Sequence, residues 1–182
     1  MIDGLHYLPD AIPPDTRRNL LHHIDTSCWR DDLSRRVQHY GYLYDYRGRR
    51  VGRSSYLGPL PDWLQELADQ LRREHFAGRS PDQAIVNDYL PGQGIAPHVD
   101  CLPCFGDVVA SVSLCGSAEM AFQKGEDTRS LRLEPGSLLV LSGTARFEWT
   151  HGIAARKSDV VEGVRVKRER RVSVTFRTVR VE

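Results

Sequence analysis

The chain has little of what marks a membrane-spanning, secreted or disordered protein. No apolar run in its 182 residues approaches the roughly 20 that a membrane span needs. The opening "MIDGLHYLPD" holds an early acid and no apolar core, so it does not read as a secretion signal. Only four cysteines occur, Cys28, Cys101, Cys104 and Cys115, too few and too unevenly placed for a disulfide scaffold. A reducing cytoplasm is the expected home. Repeats, low-complexity stretches and linkers are also absent, which predicts one domain over 1–182 with no membrane partner. With 40% hydrophobic and 27% charged residues, the chain is long enough to bury a real core.

What is present is uneven. The net charge of +1 hides six aspartates against three arginines in 1–34. Residues 35–53 then carry six arginines against Asp45, and 163–182 carry seven basic residues against two glutamates. Such blocks form either phosphate-binding surfaces or merely solvated sheet edges.

Hydrophobic periodicity predicts two helices early in the chain. "PPDTRRNLLHHID" (13–25) has Pro14 near its first turn, and "LPDWLQELADQLRREHF" (60–76) sets Trp63, Leu64, Leu67, Ala68 and Leu71 on one stripe. Between them "QHYGYLYDY" alternates like a strand, followed by a turn at "RGRRVGR". From residue 83 onward the texture is short strands: "AIVNDY", "IAPHVD", "VVASVSL", "EMAFQ", "RSLRLE", "SLLVLSG", "RFEWTHGI" and "RVSVTFRTVRV". This is an α+β chain with a β core, a jelly roll or small barrel, over 83–182, preceded by a lid and helix region over 35–82.

"NDYLPGQGIAPHVD" ends in His98 and Asp100, one residue apart. On a strand such a pair shares a face, which gives half of a mixed nitrogen and oxygen metal site. A second histidine stands 53 residues on, His151 in "EWTHGI", on another predicted strand. Two histidines and a carboxylate form the facial triad of non-haem iron(II) oxygenases, with zinc as the main competitor. His6, His22, His23, His39 and His75 lie in the helical or N-terminal part and read as surface or core residues. In "RRVSVTFR", Arg171, Ser173, Thr175 and Arg177 occupy one period-2 face, while Val172, Val174 and Phe176 occupy the other, which should be core. Buried arginines demand anionic partners. Six residues separate the two arginines, about 20 Å on a straight strand, so only a strongly twisted one lets both reach one small dicarboxylate. Snorkelling to solvent is the alternative.

In "NDY", "HVD", "WTHGI" and "RVSVTFR", in that order, the chain resembles the AlkB family of iron(II)- and 2-oxoglutarate-dependent dioxygenases, over roughly residues 35–180. The resemblance implies a double-stranded β-helix with iron(II), 2-oxoglutarate and O2 as cofactor and co-substrates. It makes His98, Asp100 and His151 the iron ligands. Arg171, with Tyr89, Asn87 and Ser173, is similar to the set holding the far end of 2-oxoglutarate. Arg177 resembles the arginine near the carboxylate that helps chelate iron. The implied reaction oxidises an alkyl group on a base, releasing an aldehyde from a ring nitrogen or leaving a hydroxylated base.

The implied partner is nucleic acid with an alkylated or modified base, single-stranded DNA or RNA, and the protein is expected to be a monomer. "VNDYLPGQGIAPHVD" and "WTHGIAARKSD" are most similar to the branch acting on the wobble uridine of transfer RNA. Tyr40, Tyr42 and Tyr44, with the basic 35–53 segment, are candidates for a lid over the base; lining a half-buried strand is their other role. Nucleobase demethylases of the family often carry an acid where this chain has Leu102, which points to a base other than methyladenine or methylcytosine. Cys101 and Cys104 form a C-x-x-C beside the site, but no second pair completes a zinc set, so neither zinc nor redox chemistry is expected there. Two alternatives remain: the same chemistry on a protein or small molecule, and a non-catalytic cupin-like binder, against which the arginine pair argues.

Overall fold

Period-2 sorting of side chains builds the molecule. The structure, a computed structural model, describes residues 2–31 and 33–181. In chain order its elements are β1 (Leu5–Leu8), α1 (Pro14–Thr26), β2 (Arg36–Tyr40), α2 (Asp62–Glu74), β3 (Gln83–Tyr89), β4 (Ile95–His98), β5 (Phe105–Cys115), β6 (Ala118–Lys124), β7 (Asp127–Leu133), β8 (Leu138–Leu141), α3 (Gly143–Phe147), β9 (Thr150–Ile153), β10 (Ser158–Val161), β11 (Val164–Lys167) and β12 (Arg171–Val179). A six-stranded sheet runs β1-β8-β5-β12-β3-β2, and a four-stranded sheet runs β4-β9-β6-β7. All their pairings are antiparallel, giving the two-sheet jelly roll expected of the class.

One face of the large sheet packs on the helices. Ala84 and Val86 of β3, Ala110, Val112 and Leu114 of β5, Leu138 and Val140 of β8, and Val172, Val174 and Phe176 of β12 share a core with Leu20, Ile24, Leu64, Leu67 and Leu71. α2 supplies its apolar stripe as the spacing predicts, and it places Asp62 in its first turn and Arg72 and Arg73 in its last, which suits the helix dipole. A second core, with Val109, Leu139 and Leu141 against Met120, Phe122 and Leu133, joins the two sheets.

Four local differences from the sequence reading have physical causes. The strand expected over 38–46 ends at Tyr40, because Gly41 turns the chain with φ 78°, and a Cβ there would lie 1.8 Å from the Asp82 carbonyl oxygen. Beyond it the chain forms isolated bridges, Tyr42 with Tyr56 and Asp45 with Arg50, and a single 3-10 turn over Arg53–Ser55. The first part of "RFEWTHGI" coils as the end of α3, and its strand starts at Thr150. β1, four residues of alternating exposure, carries too short a signal to read. The β10–β11 hairpin was unanticipated too; its Asp159 is buried in ion pairs with Arg168 and Arg156.

Candidate active site

The other face of the large sheet lines a cavity of about 380 Å³ between the two sheets. Residues of odd register come to it: Ile85, Asn87 and Tyr89 from β3, Val109 and Ser111 from β5, Leu139 and Leu141 from β8, and Arg171, Ser173, Thr175 and Arg177 from β12. Both arginines thus line one chamber despite their separation along β12. β4, β6 and β9 close the opposite wall with Ile95, His98, Met120, His151 and Ile153.

β4 and β9 pair so that His98 stands directly opposite His151. Gly152 permits this approach, since a Cβ there would meet the Pro97 nitrogen at 2.8 Å. Asp100 lies two residues past His98, beyond the strand end rather than on it. Two arginines fix it there. Arg177 donates through Nε to Asp100 Oδ1 at 2.8 Å. Arg146 of α3, only 2% exposed, donates through NH1 to the Asp100 backbone oxygen at 3.0 Å and through Nε to Gly106 oxygen at 3.2 Å.

His98, Asp100 and His151 could together hold a metal ion: one ligand atom from each falls in a set lying within 4.8 Å. His151 Nε2 is 3.5 Å from Asp100 Oδ2, and two ligands at right angles on an octahedral ion lie about 3 Å apart. The charge states suit this. Burial alone would raise the Asp100 carboxyl, but the Arg177 guanidinium, with further help from His151, His98 and Arg146, holds it well below the usual range and ionised. Burial pushes the His151 imidazole down to about 4 against the pull of Asp100, which keeps it neutral and able to ligate. His98 Nδ1 lies 2.9 Å from the Ala96 carbonyl oxygen. A proton on that nitrogen leaves Nε2 as the ligating atom. Mixed imidazole and carboxylate donors suit iron(II).

At the far end of the chamber Arg171 donates through NH1 to Ser173 Oγ at 3.3 Å and through NH2 to Ser113 Oγ at 3.2 Å. Its Nε is buried and, among the described residues, has no hydrogen-bond partner. Its guanidinium lies over one side of the Tyr89 ring, 5.5 Å from the centroid, and that of Arg35 lies at 5.6 Å from the same ring. Arg35 also donates through Nε to Asn87 Oδ1 at 2.8 Å.

Of the aromatic lid candidates, Tyr44 lines the cavity, with Tyr46, Leu33, Arg35 and Arg49 beside it. Tyr40 does not. It packs edge-on against Trp63 and donates to Gln38 Oε1, because its strand position faces the helices. Tyr42 turns to Tyr56 and the cysteine cluster, and Leu102 is exposed at a turn outside the cavity lining. Sequence reasoning missed Ser113 and Arg146, and within the basic 35–53 segment it did not single out Arg35, Tyr46 or Arg49. Ser113 was readable from its alternation on β5. Arg146 carries no local signal, since its partner carbonyls, those of Gly106 and Asp100, lie 40 and 46 residues earlier in the chain. The C-x-x-C expectation is corrected: Cys101 and Cys104 are joined in a disulfide. The turn between them brings the two Cα atoms close enough to bridge.

A two-sheet jelly roll with two histidines and a carboxylate facing an arginine-lined cavity defines the class of non-haem metal oxygenases. The pattern described as "2OG-Fe(II) oxygenase superfamily" matches residues 16–177, and the chain belongs to that family. It is AlkB-like, a dioxygenase that uses iron(II), 2-oxoglutarate and O2. It is 37% identical, over 97% of its length, to the tRNA (carboxymethyluridine(34)-5-O)-methyltransferase alkbh8 of Xenopus tropicalis, of which it spans 32%. To the Alkylated DNA repair protein ALKBH8 homolog of Arabidopsis thaliana it is 34% identical over 98% of its length, spanning 59% of that protein. The solved structure of OsALKBH1 shares the fold, with a TM-score of 0.67, 21% identity and 98% of both chains covered. Among the described residues no helix is long and apolar enough to cross a membrane.

Proposed function

We propose that this dioxygenase oxidises an alkyl group on a modified base of nucleic acid, with unpaired RNA such as a transfer RNA loop preferred over duplex DNA. His98, Asp100 and His151 hold the iron in this reading. Arg171, with Ser173, Asn87 and Tyr89, takes the far carboxylate of 2-oxoglutarate, and Arg177 stands beside the iron-chelating end. The observation that carries it is the convergence of the donor triad and the polar face of β12 on one cavity. The frog and Arabidopsis relatives, one named as a transfer RNA enzyme and one as a DNA repair protein, support nucleic acid as substrate.

When bound, iron and 2-oxoglutarate supply the oxidation of an unactivated C–H bond by O2, chemistry that no side chain provides. The chain supplies the rest. Arg177 keeps Asp100 ionised, and Arg146 fixes the backbone that carries it. The partnerless Nε of Arg171 awaits an acceptor, and a carboxylate is the natural one. Ile85, Val109, Leu139, Leu141 and Met120 wall the chamber and exclude water. Tyr44 and Tyr46 offer ring faces to a base that has left its stack.

The basic blocks divide on inspection. Arg36 pairs with Asp88, Arg168 with Asp159, and Arg170 with Asp25 and Asp88, so these serve the fold. Arg47, Arg49, Arg53, Arg165 and Lys167 are exposed and are the candidates for phosphate contacts. The protein is taken to act as a monomer in the cytoplasm.

The test measures succinate formation and base products on methylated single-stranded DNA, methylated duplex DNA and modified transfer RNA at two salt concentrations. Best activity on RNA, weakening with salt, is expected. Succinate formation with best activity on duplex DNA would overturn the substrate reading, and no succinate with any substrate would overturn the assignment of the site.

A further inference from the structure

The Cys101–Cys104 pair takes no part in the reaction derived above. It begins one residue past Asp100, and its Cα atoms are 5.2 Å apart, within the range a disulfide requires. The residues are 5% and 4% exposed and cluster with Phe105 and Val179 against Tyr42, Tyr44 and Val51 of the lid segment. Cys101 also lines the cavity, which gives a small reagent a route to it. Both sulfurs face one atom of the lid, the Arg49 carbonyl oxygen, at 3.2 and 3.4 Å. Among the described residues no backbone N–H reaches that oxygen. Arg49 itself sits in the left-handed region, φ 48°. A non-glycine residue stays there only where its surroundings hold it. Asp45 closes the turn, accepting from the Arg47 and Gly48 N–H groups and pairing with Arg50, while the sulfurs stand against the Arg49 carbonyl and so tie the turn to the wall of the site. Arg49 lines the cavity with Tyr44, Tyr46 and Arg35.

We propose that Cys101 and Cys104 are a reversible thiol–disulfide site whose redox state sets the hold of the protein on its lid. In the dithiol each sulfur carries a proton and can donate to the Arg49 oxygen. The disulfide has no proton to donate and leaves that oxygen only sulfur contacts. Oxidation therefore loosens the 45–51 turn over the cavity, and reduction tightens it.

The co-reactant is a low-molecular-weight disulfide. One cysteine thiolate attacks it and a small thiol leaves. The second cysteine then attacks the mixed disulfide, the Cys101–Cys104 bond forms and a second small thiol leaves. Two electrons and two protons pass in total from the pair to the reagent. A small dithiol reverses the sequence. In a reducing cytoplasm the tight-lid form prevails, and oxidative conditions release it.

The experiment uses protein loaded with manganese(II) and 2-oxoglutarate, equilibrated with dithiothreitol or with oxidised glutathione, then alkylated for mass spectrometry and examined by amide hydrogen exchange. Cys28 and Cys115, which carry no disulfide, report background alkylation. We expect residues 101 and 104 to be alkylated only after reduction, reversibly. Exchange across 45–51 should be about two- to tenfold faster in the disulfide form, the factor that one net hydrogen bond represents. Cys104→Ser should lose the response to oxidant while folding normally. Equal lid exchange in both states, faster exchange in the dithiol, a pair that thiol buffers cannot cycle, or an oxidant response retained in Cys104→Ser would each overturn the proposal. No readout depends on turnover or on the identity of the substrate, so this test can fail while the proposed function stands.

Discussion

Along β12 the side chains facing the helices and those facing the cavity share one backbone yet follow different rules. Val172, Val174 and Phe176 are fully buried among apolar neighbours, and the protein's own atoms complete their surroundings. Arg171, Ser173, Thr175 and Arg177 are nearly as buried. Their surroundings are polar and, at one atom, incomplete: among the described residues the Arg171 Nε finds no partner, while Arg177 is paired with a carboxylate set between two histidines. A buried polar group left short of partners costs stability that apolar packing does not. The polar face is thus kept for a ligand and the apolar face for the fold, so substitutions on the two should separate function from stability.

The sharpest break of that separation is His151→Ala, opposite the polar face. It should abolish 2-oxoglutarate turnover with the melting curve nearly intact, since an open catalytic site is not the main stabiliser of a domain this size. Full turnover at wild-type iron occupancy would remove His151 from the ligand set. Next comes Phe176→Ala on the apolar face, expected to cost about 3–5 kcal/mol of stability in urea unfolding. Co-substrate affinity of the folded fraction should not change. A weaker 2-oxoglutarate affinity in that fraction would mean that the faces are coupled through the strand.

Arg171→Ala and Arg177→Ala should raise the half-saturating 2-oxoglutarate about ten- to 150-fold, the loss of a charge-assisted hydrogen bond worth about 1.5–3 kcal/mol. Arg171→Lys should also be impaired, because an ammonium cannot reproduce a planar two-donor contact. An unchanged titration would make these arginines structural after all.

How much of this could be read in advance also divides by face. The β12 alternation, the H-x-D pair and the distant His151 were legible because each rests on strand period and residue chemistry within a short window. The lid was not. Whether Tyr40, Tyr42 or Tyr44 meets the cavity depends on Gly41, which reverses the chain and breaks the alternation on which the expectation rested. Arg146 was illegible for another reason: it binds backbone oxygens, which have no side-chain signature in a sequence.

The smallest effect belongs to a control away from both faces. Burial would raise the Asp159 carboxyl, but hydrogen bonds from Arg168 and Arg156 prevail and hold it at about 2. The unfolded value is about 3.9, so this group contributes stability above that pH, and the contribution is lost as pH falls from about 4 toward 2. Asp159→Asn should flatten that stretch of the acid-unfolding curve and leave 2-oxoglutarate half-saturation at neutral pH unchanged. An unaltered acid curve would show that the hairpin's ion pair does not govern acid stability.

The order of strands in the large sheet also bears on how the chain is made. β12 lies between β5 and β3 near the middle of that sheet, yet it comes after every other strand in the sequence. Until it emerges from the ribosome, β3 and β5 each present an unpaired edge, and the growing chain must keep both from joining other chains. Closing the sheet joins residues far apart in sequence, a slow kind of step. Because the same strand carries Arg171 and Arg177, the chamber for the co-substrate comes into being only with that last insertion. A nascent chain stalled short of β12 would have its histidines in hand and no place to put a dicarboxylate.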